Sequence, residues 1–210
     1  MSSFSAILLA AGESRRMGSV NKLTLPVAGQ PLLRRTAETL LQAGLRELVV
    51  VVGHEQQTAR ELLHGLPLRI VCNDNYTEGQ MTSVHCGMRA LQQACDAVLI
   101  CLADLPLMAA EDLRQLTDAF AHCPTSVLVP TYKGERGNPI VLAHEHRQQI
   151  LAGDRNLGCR RLIQKHPELV TAVEMDNVHL VFDLDTPQAY QQLQQRLGAA
   201  AVAFDYLISA

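Results

Sequence analysis

The residues best suited to chemistry cluster after the first apolar run. Leu8-Leu9-Ala10-Ala11-Gly12-Glu13-Ser14-Arg15-Arg16-Met17-Gly18, with Lys22 just beyond, sets three cations and two glycines against one acid. Gly12 and Gly18 allow the backbone to approach a ligand, and successive amides there can point at phosphate oxygens. Arg15, Arg16 and Lys22 supply the local charge a triphosphate needs. The other reading is an ordinary strand-to-helix loop with solvated arginines. The loop is no Walker A motif, because Ser19 rather than Lys follows the second glycine, and it lacks the G-x-G-x-x-G fingerprint.

Three further segments carry candidate groups. Asp104, in Leu102-Ala103-Asp104-Leu105-Pro106, follows an apolar run and is placed either to hold Mg²⁺ or to cap the next helix. Glu111 and Asp112 lie nearer that helix start, which favours the metal. Asp183 and Asp185, in Phe182-Asp183-Leu184-Asp185-Thr186-Pro187, would share one face of an extended segment. They could complete a cation site or simply lie at a helix entry. Glu78-Gly79-Gln80-Met81-Thr82-Ser83 combines a glycine, two hydroxyls and a helix start, which suits an anion or a plain loop with an N-cap.

These groups need a scaffold that gathers loop ends. Strands are expected at Ser5–Leu9, Leu48–Val52, Leu68–Cys72, Val98–Leu102 and Val127–Pro130. Helices are expected near Leu32–Ala43, Thr58–Leu63, Ser83–Ala94 and Glu111–Ala121. Several strands lack polar alternation, as strands covered on both faces do. The alternation predicts a single Rossmann-like, doubly wound α/β domain with a mainly parallel sheet. Pro139–Ala143, after the polar turn Lys133–Asn138, suits one inserted antiparallel strand. Val170–Met175 and Leu180–Leu184 look like late strands, and Thr186 caps a last helix to about Leu197 with Pro187 at its first position. The domain spans residues 1–197, followed by a small-residue tail, 198–210, to which no function is assigned.

In such a sheet, ligands bind beyond the carboxyl ends of the strands, where these segments fall. A hydrophobic fraction of 48% and a charged fraction of 19% give an ordinary globular core. A net charge of −3 without a basic stretch argues against nucleic acid. No apolar run approaches the roughly 20 residues a bilayer span needs. The start lacks a charged region and Ala6–Ala11 is too short for a secretion signal, so a cytoplasmic protein is expected. The six cysteines, without a C-x-x-C pair, read as small hydrophobes, and His144-Glu145-His146 as a solvated helix start rather than a metal cluster.

Taken in order, the segments resemble nucleotidyltransferases of the molybdenum cofactor family. The loop matches L-A-A-G-x-S-x-R-M-G-x-x-K with Lys22 one residue late. It is followed by E-G-x-x-x-S (Glu78 to Ser83), D-x-P (Asp104–Pro106), G-N-P (Gly137–Pro139) and D-x-D-T-P (Asp183–Pro187). The resemblance covers about residues 4–197 and implies a nucleotide-diphospho-sugar transferase type of fold. Ala10-Ala11 before Gly12, and Asp at 183 and 185, lean toward the cytidylyltransferase branch. The resemblance implies transfer of CMP from CTP to the terminal phosphate of molybdopterin, with release of pyrophosphate. Leu9, Ala10, Ala11, Gly12, Arg16 and Lys22 would then hold the nucleotide's phosphates, and Gly79 and Ser83 its base and ribose. Asn138 would lie toward the acceptor, Asp104 with Asp183 or Asp185 would hold Mg²⁺, and Arg16, Lys22 and Asp104 would act in catalysis. Transient contact with a molybdoenzyme or cofactor-insertion protein is a further implication. GTP as donor, another phosphorylated acceptor, or a non-catalytic nucleotide-binding delivery protein are the alternatives.

Overall fold

The structure is a computed structural model that describes residues 2–123, 125–152 and 163–198. Eleven-residue and shorter helices alternate with strands: β1 (Phe4–Ala10), β2 (Pro26–Val27), β3 (Gln30–Pro31), α1 (Leu32–Gln42), β4 (Leu48–Val52), α2 (Gln56–Leu62), β5 (Arg69–Cys72), α3 (Gln80–Ala90) and β6 (Ala97–Leu102). Then follow α4 (Ala110–Ala121, one residue longer), β7 (Val127–Tyr132), β8 (Glu135–Arg136), β9 (Ile140–Ala143), α5 (His144–Leu151), β10 (Val170–Glu174) and α6 (Pro187–Leu197).

The main sheet runs β10-β7-β9-β6-β1-β4-β5, with β8 on β7. β1 lies inside it, parallel to both of its neighbours, β4 and β6. The inserted strand is β9, antiparallel to β6 and to β7. The unbroken apolar run of β4 is buried throughout, as a strand covered on both sides must be. Alternation along β1 sends Ala6, Leu8 and Ala10 into one core and Ile7 and Leu9 into the other. The sheet is mainly parallel and doubly wound with one inserted antiparallel strand, as the alternation predicts.

α3 presses on β1 with no room to spare. A Cβ at Gly87 would sit 2.4 Å from Ile7 Cγ2 and 3.1 Å from Val51 Cγ2. This helix starts earlier and ends earlier than the periodicity predicts. Leu91 turns extended, and the Arg147 guanidinium takes the carbonyls of Met88 and Leu91 at 3.1 and 2.8 Å. A distant side chain therefore ends the helix.

Leu180–Leu184, expected as a strand, is not one. The amides of Val181 and Phe182 both donate to Val178 O in a turn, and the Leu184 amide donates to Asp104 O at 2.8 Å. The chain crosses the end of β6 instead of pairing alongside a strand. The last helix starts as expected: the Thr186 hydroxyl accepts from the Ala189 amide at 3.2 Å, and Gly198 closes it. His144 does open α5, but His146 is buried, with Nε2 2.7 Å from Ser126 Oγ, so that helix start is only partly solvated. Cys95 and Cys101 are buried as expected, whereas Cys72, Cys86 and Cys123 are half-buried. Cys159 and the tail from 199 lie outside the described residues.

Candidate nucleotide and metal site

The loop after β1 is folded by its own side chains. Met17 is buried and anchors the Arg15–Met17 turn in the core. The Ser14 hydroxyl accepts from the Lys22 amide at 3.2 Å and draws the loop back on itself. Asn21 caps the short turn that begins at Lys22, its Oδ1 accepting from the Leu23 amide at 3.0 Å. Lys22 is thus aimed back across the loop from the first position of a capped turn, despite its extra residue of spacing.

Asp104 stands just past β6, whose end is tied to β1 by the Ala103 amide on Leu9 O. It caps nothing. α4 begins at Ala110, and Asp112 Oδ2 accepts from the Ala109 amide at 2.9 Å to close that start. In the crossing segment Leu184 is fully buried, which leaves its neighbours Asp183 and Asp185 on the opposite, cavity side.

The three segments converge on one ion cluster. Lys22 Nζ lies 2.6 Å from Asp104 Oδ2 and 2.6 Å from Asp185 Oδ1, and all three side chains are largely buried. Arg16, mostly exposed, pairs with the other oxygen of Asp185. Arg15 points elsewhere, onto Glu13. Burial pulls the Lys22 ammonium down, but Asp104, and then Asp185, outweigh it and raise its pKa. Stability from such a group is complete below the ordinary lysine value and lost only as pH rises through the raised one. Lys22 is therefore a fixed cation at neutral pH. Asp183 is raised by burial, then by the like charges of Asp185 and Asp104, against the pull of Lys22 and Arg16.

Leu9, Ala10, Ala11, Gly12, Arg16, Lys22, Ser83, Asp104, Asp183 and Asp185 all line one cavity of about 350 Å³. A second cavity of similar size adjoins it around Gly12–Arg16. Gly79 and Asn138 do not line the first cavity. Gly79 stands one step outside as the N-cap of α3. The Asn138 amide instead donates to Leu180 O at 2.8 Å, and a Cβ at Gly137 would lie 2.2 Å from that same oxygen. The G-N-P motif thus docks its turn on the segment leading to Asp183. Sequence reasoning missed Tyr76 and Gln80, which also line the cavity; Tyr76 opens the short turn before Gly79 and Gln80 the helix after it, and only that turn and helix start would have shown which way they face. A larger cavity, about 670 Å³, is lined by other residues of α3 and by Glu78, Met81 and Thr82 of the candidate segment, but by none of the residues assigned to phosphate, nucleoside, acceptor or metal.

The residues suit a divalent cation. Among the described residues Asp104 Oδ1 is buried without a hydrogen-bond partner, and the Lys22 ammonium already marks a cation position between two carboxylates. Carboxylate oxygens are ligands for a hard cation. No group of three or more His, Cys, Asp or Glu side chains among the described residues forms a ready metal cluster. A cation would therefore draw other ligands from water and phosphate, which is the habit of Mg²⁺.

A nucleotide-binding α/β fold with a cationic loop facing a carboxylate pair defines the class. Within it, this chain belongs to the MobA-like NTP transferase domain family, whose model matches residues 6–170, and it is a nucleotidyltransferase of that family. It is 31% identical to the purine catabolism protein PucB of Bacillus subtilis over 91% of this chain and 96% of that protein. It is 28% identical to the nicotine blue oxidoreductase of Paenarthrobacter nicotinovorans over 89% of this chain and 94% of that one. A nucleotidyl transferase from Methanothermobacter superposes with a TM-score of 0.79 at 25% identity, over 92% of this chain and 97% of that one. Rv0371c of Mycobacterium tuberculosis, also solved with manganese, shares the fold with a TM-score of 0.81 at 22% identity, over 92% of this chain and 98% of its own. No helix among the described residues is long and apolar enough to cross a membrane.

Proposed function

We propose that this protein is a molybdenum cofactor cytidylyltransferase of the cytoplasm, transferring CMP from CTP to the terminal phosphate of molybdopterin and releasing pyrophosphate. The observation that carries the reading is Lys22 held between Asp104 and Asp185 at the mouth of the glycine loop. The cytidylyl preference rests on Ala10-Ala11 and on Asp183 and Asp185, and the acceptor rests on the family resemblance.

A phosphate nucleophile is already ionised at neutral pH, so the protein needs no general base. Catalysis reduces to positioning and neutralising charge at the α-phosphorus. Arg16 and the amides of Ala11 and Gly12 hold the β- and γ-phosphates. Lys22 turns from its carboxylates toward the α-phosphate as a point charge. Asp104, with Asp185 or Asp183, would hold Mg²⁺, which when bound would supply positive charge to offset that of the phosphates; the manganese complex of Rv0371c is in keeping with this. Gly79 and Ser83 face the nucleoside, and Asn138 supports the acceptor side through the segment it docks.

Asp104→Ala tests the assignment without dismantling the cluster, since Lys22 keeps Asp185 as its partner. Turnover should fall by about 10²-fold or more, with a melting temperature close to wild type. Wild-type turnover in this variant would sink the metal assignment.

A further inference from the structure

Asn73, just past β5, is buried at 6% exposure, and Ser83, in the first turn of α3, at 5%. The Asn75 amide donates to Asn73 Oδ1 at 3.1 Å. A backbone N–H can only donate, so that contact fixes which way the Asn73 amide faces. Its nitrogen then donates both hydrogens, to Thr82 Oγ1 at 2.8 Å and to Ser83 Oγ at 2.9 Å. Thr82 spends its own hydrogen on the carbonyls of Gly79 and Asn75. Ser83 accepts from Asn73, and among the described residues no acceptor takes its hydrogen. Ser83 lines the nucleotide cavity, beside Gln80 and away from the Gly12–Arg16 cavity.

We propose that Asn73 is a positioning residue that fixes Ser83 as a hydrogen-bond donor to an acceptor atom on the nucleoside half of the substrate. This rests on reading the cavity as a nucleotide site. The acceptor is a base carbonyl or ring nitrogen, or a ribose hydroxyl, that takes the one Ser83 hydrogen left unused among the described residues.

The test is the ratio of CTP affinity to inorganic tripolyphosphate affinity in Mg²⁺, measured by calorimetry. Asn73→Asp keeps the shape and the contact to the Asn75 amide but accepts where Asn73 donates, which draws the Ser83 hydrogen inward. The ratio should fall about tenfold, one hydrogen bond's worth; taking a ratio cancels the added charge. Ser83→Ala, which adds no charge, should lower it similarly, and the double variant should be no worse than either alone. It also carries the test if Asn73→Asp fails to fold. Against 2′,3′-dideoxy-CTP, an undiminished effect assigns the acceptor to the base and a lost effect assigns it to the ribose. A lowered melting temperature with an unchanged ratio in both variants would make Asn73 a purely structural tie and overturn the inference. Wild-type protein that binds CTP no better than tripolyphosphate would overturn the nucleotide-site reading itself.

Discussion

At Lys22 two buried carboxylates share one ammonium, and each partner's removal has a different consequence. Lys22→Ala leaves Asp104 and Asp185 facing each other uncompensated, which costs about 3 kcal/mol for a broken buried pair. Melting should drop by roughly 6–12 °C for a chain of this size, and turnover by at least about 10²-fold. A stable, active variant in thermal melts and pyrophosphate assays would contradict the charge cluster. Asp183 carries the opposite sign. Burial and its acidic neighbours raise it, so its ionised form weighs against the fold above the ordinary aspartate pKa. Asp183→Asn should raise the melting temperature at pH 7 by roughly 1–2 °C, small because the side chain faces solvent. The gain should shrink as pH falls through the raised pKa of Asp183 and vanish below the ordinary aspartate value, where the carboxyl is neutral folded and unfolded alike. A gain that persists in acid would mean the effect is not the charge. That these four groups meet was legible residue by residue, but not that Lys22 would sit between the two acids. Nothing local encodes an 82- or 163-residue contact.

At the scale of elements, α3 is both scaffold and site. Its packing on Ile7 leaves no space at Gly87, so Gly87→Ala should destabilise by about 1–3 kcal/mol through overpacking. The same shift would displace Ser83, so nucleotide affinity should weaken along with the melting temperature; unaltered binding by a destabilised variant would show that α3 does not set the cavity. β4 was readable to the residue, because a run of Leu and four Val has no other home than a covered strand. α3 was not, because Arg147 ends it from another helix. Leu180–Leu184 misled for a similar reason. Its alternation is real, with Leu184 inward and the acids outward, but a turn at Val178 and the tie to Asp104 O replace strand pairing. Asn138 was assigned toward the acceptor by motif alone, and what the structure shows is its backbone N–H donating to Leu180 O on the crossing segment.

At the scale of the molecule, the parallel strands β6, β1 and β4 bring the glycine loop and Asp104 together beyond their carboxyl ends, and α3 and the crossing segment wall them in. The architecture is shared by relatives whose names span purine catabolism and nicotine blue, so the fold by itself leaves the acceptor open. The decisive measurement is pyrophosphate release with each of ATP, CTP, GTP and UTP and Mg²⁺, with and without molybdopterin, and with the product identified by mass. The account predicts release with CTP alone, dependent on molybdopterin and abolished by chelating the metal, with a cytosine dinucleotide cofactor as product. Equal release with GTP, or release that ignores molybdopterin, would contradict it.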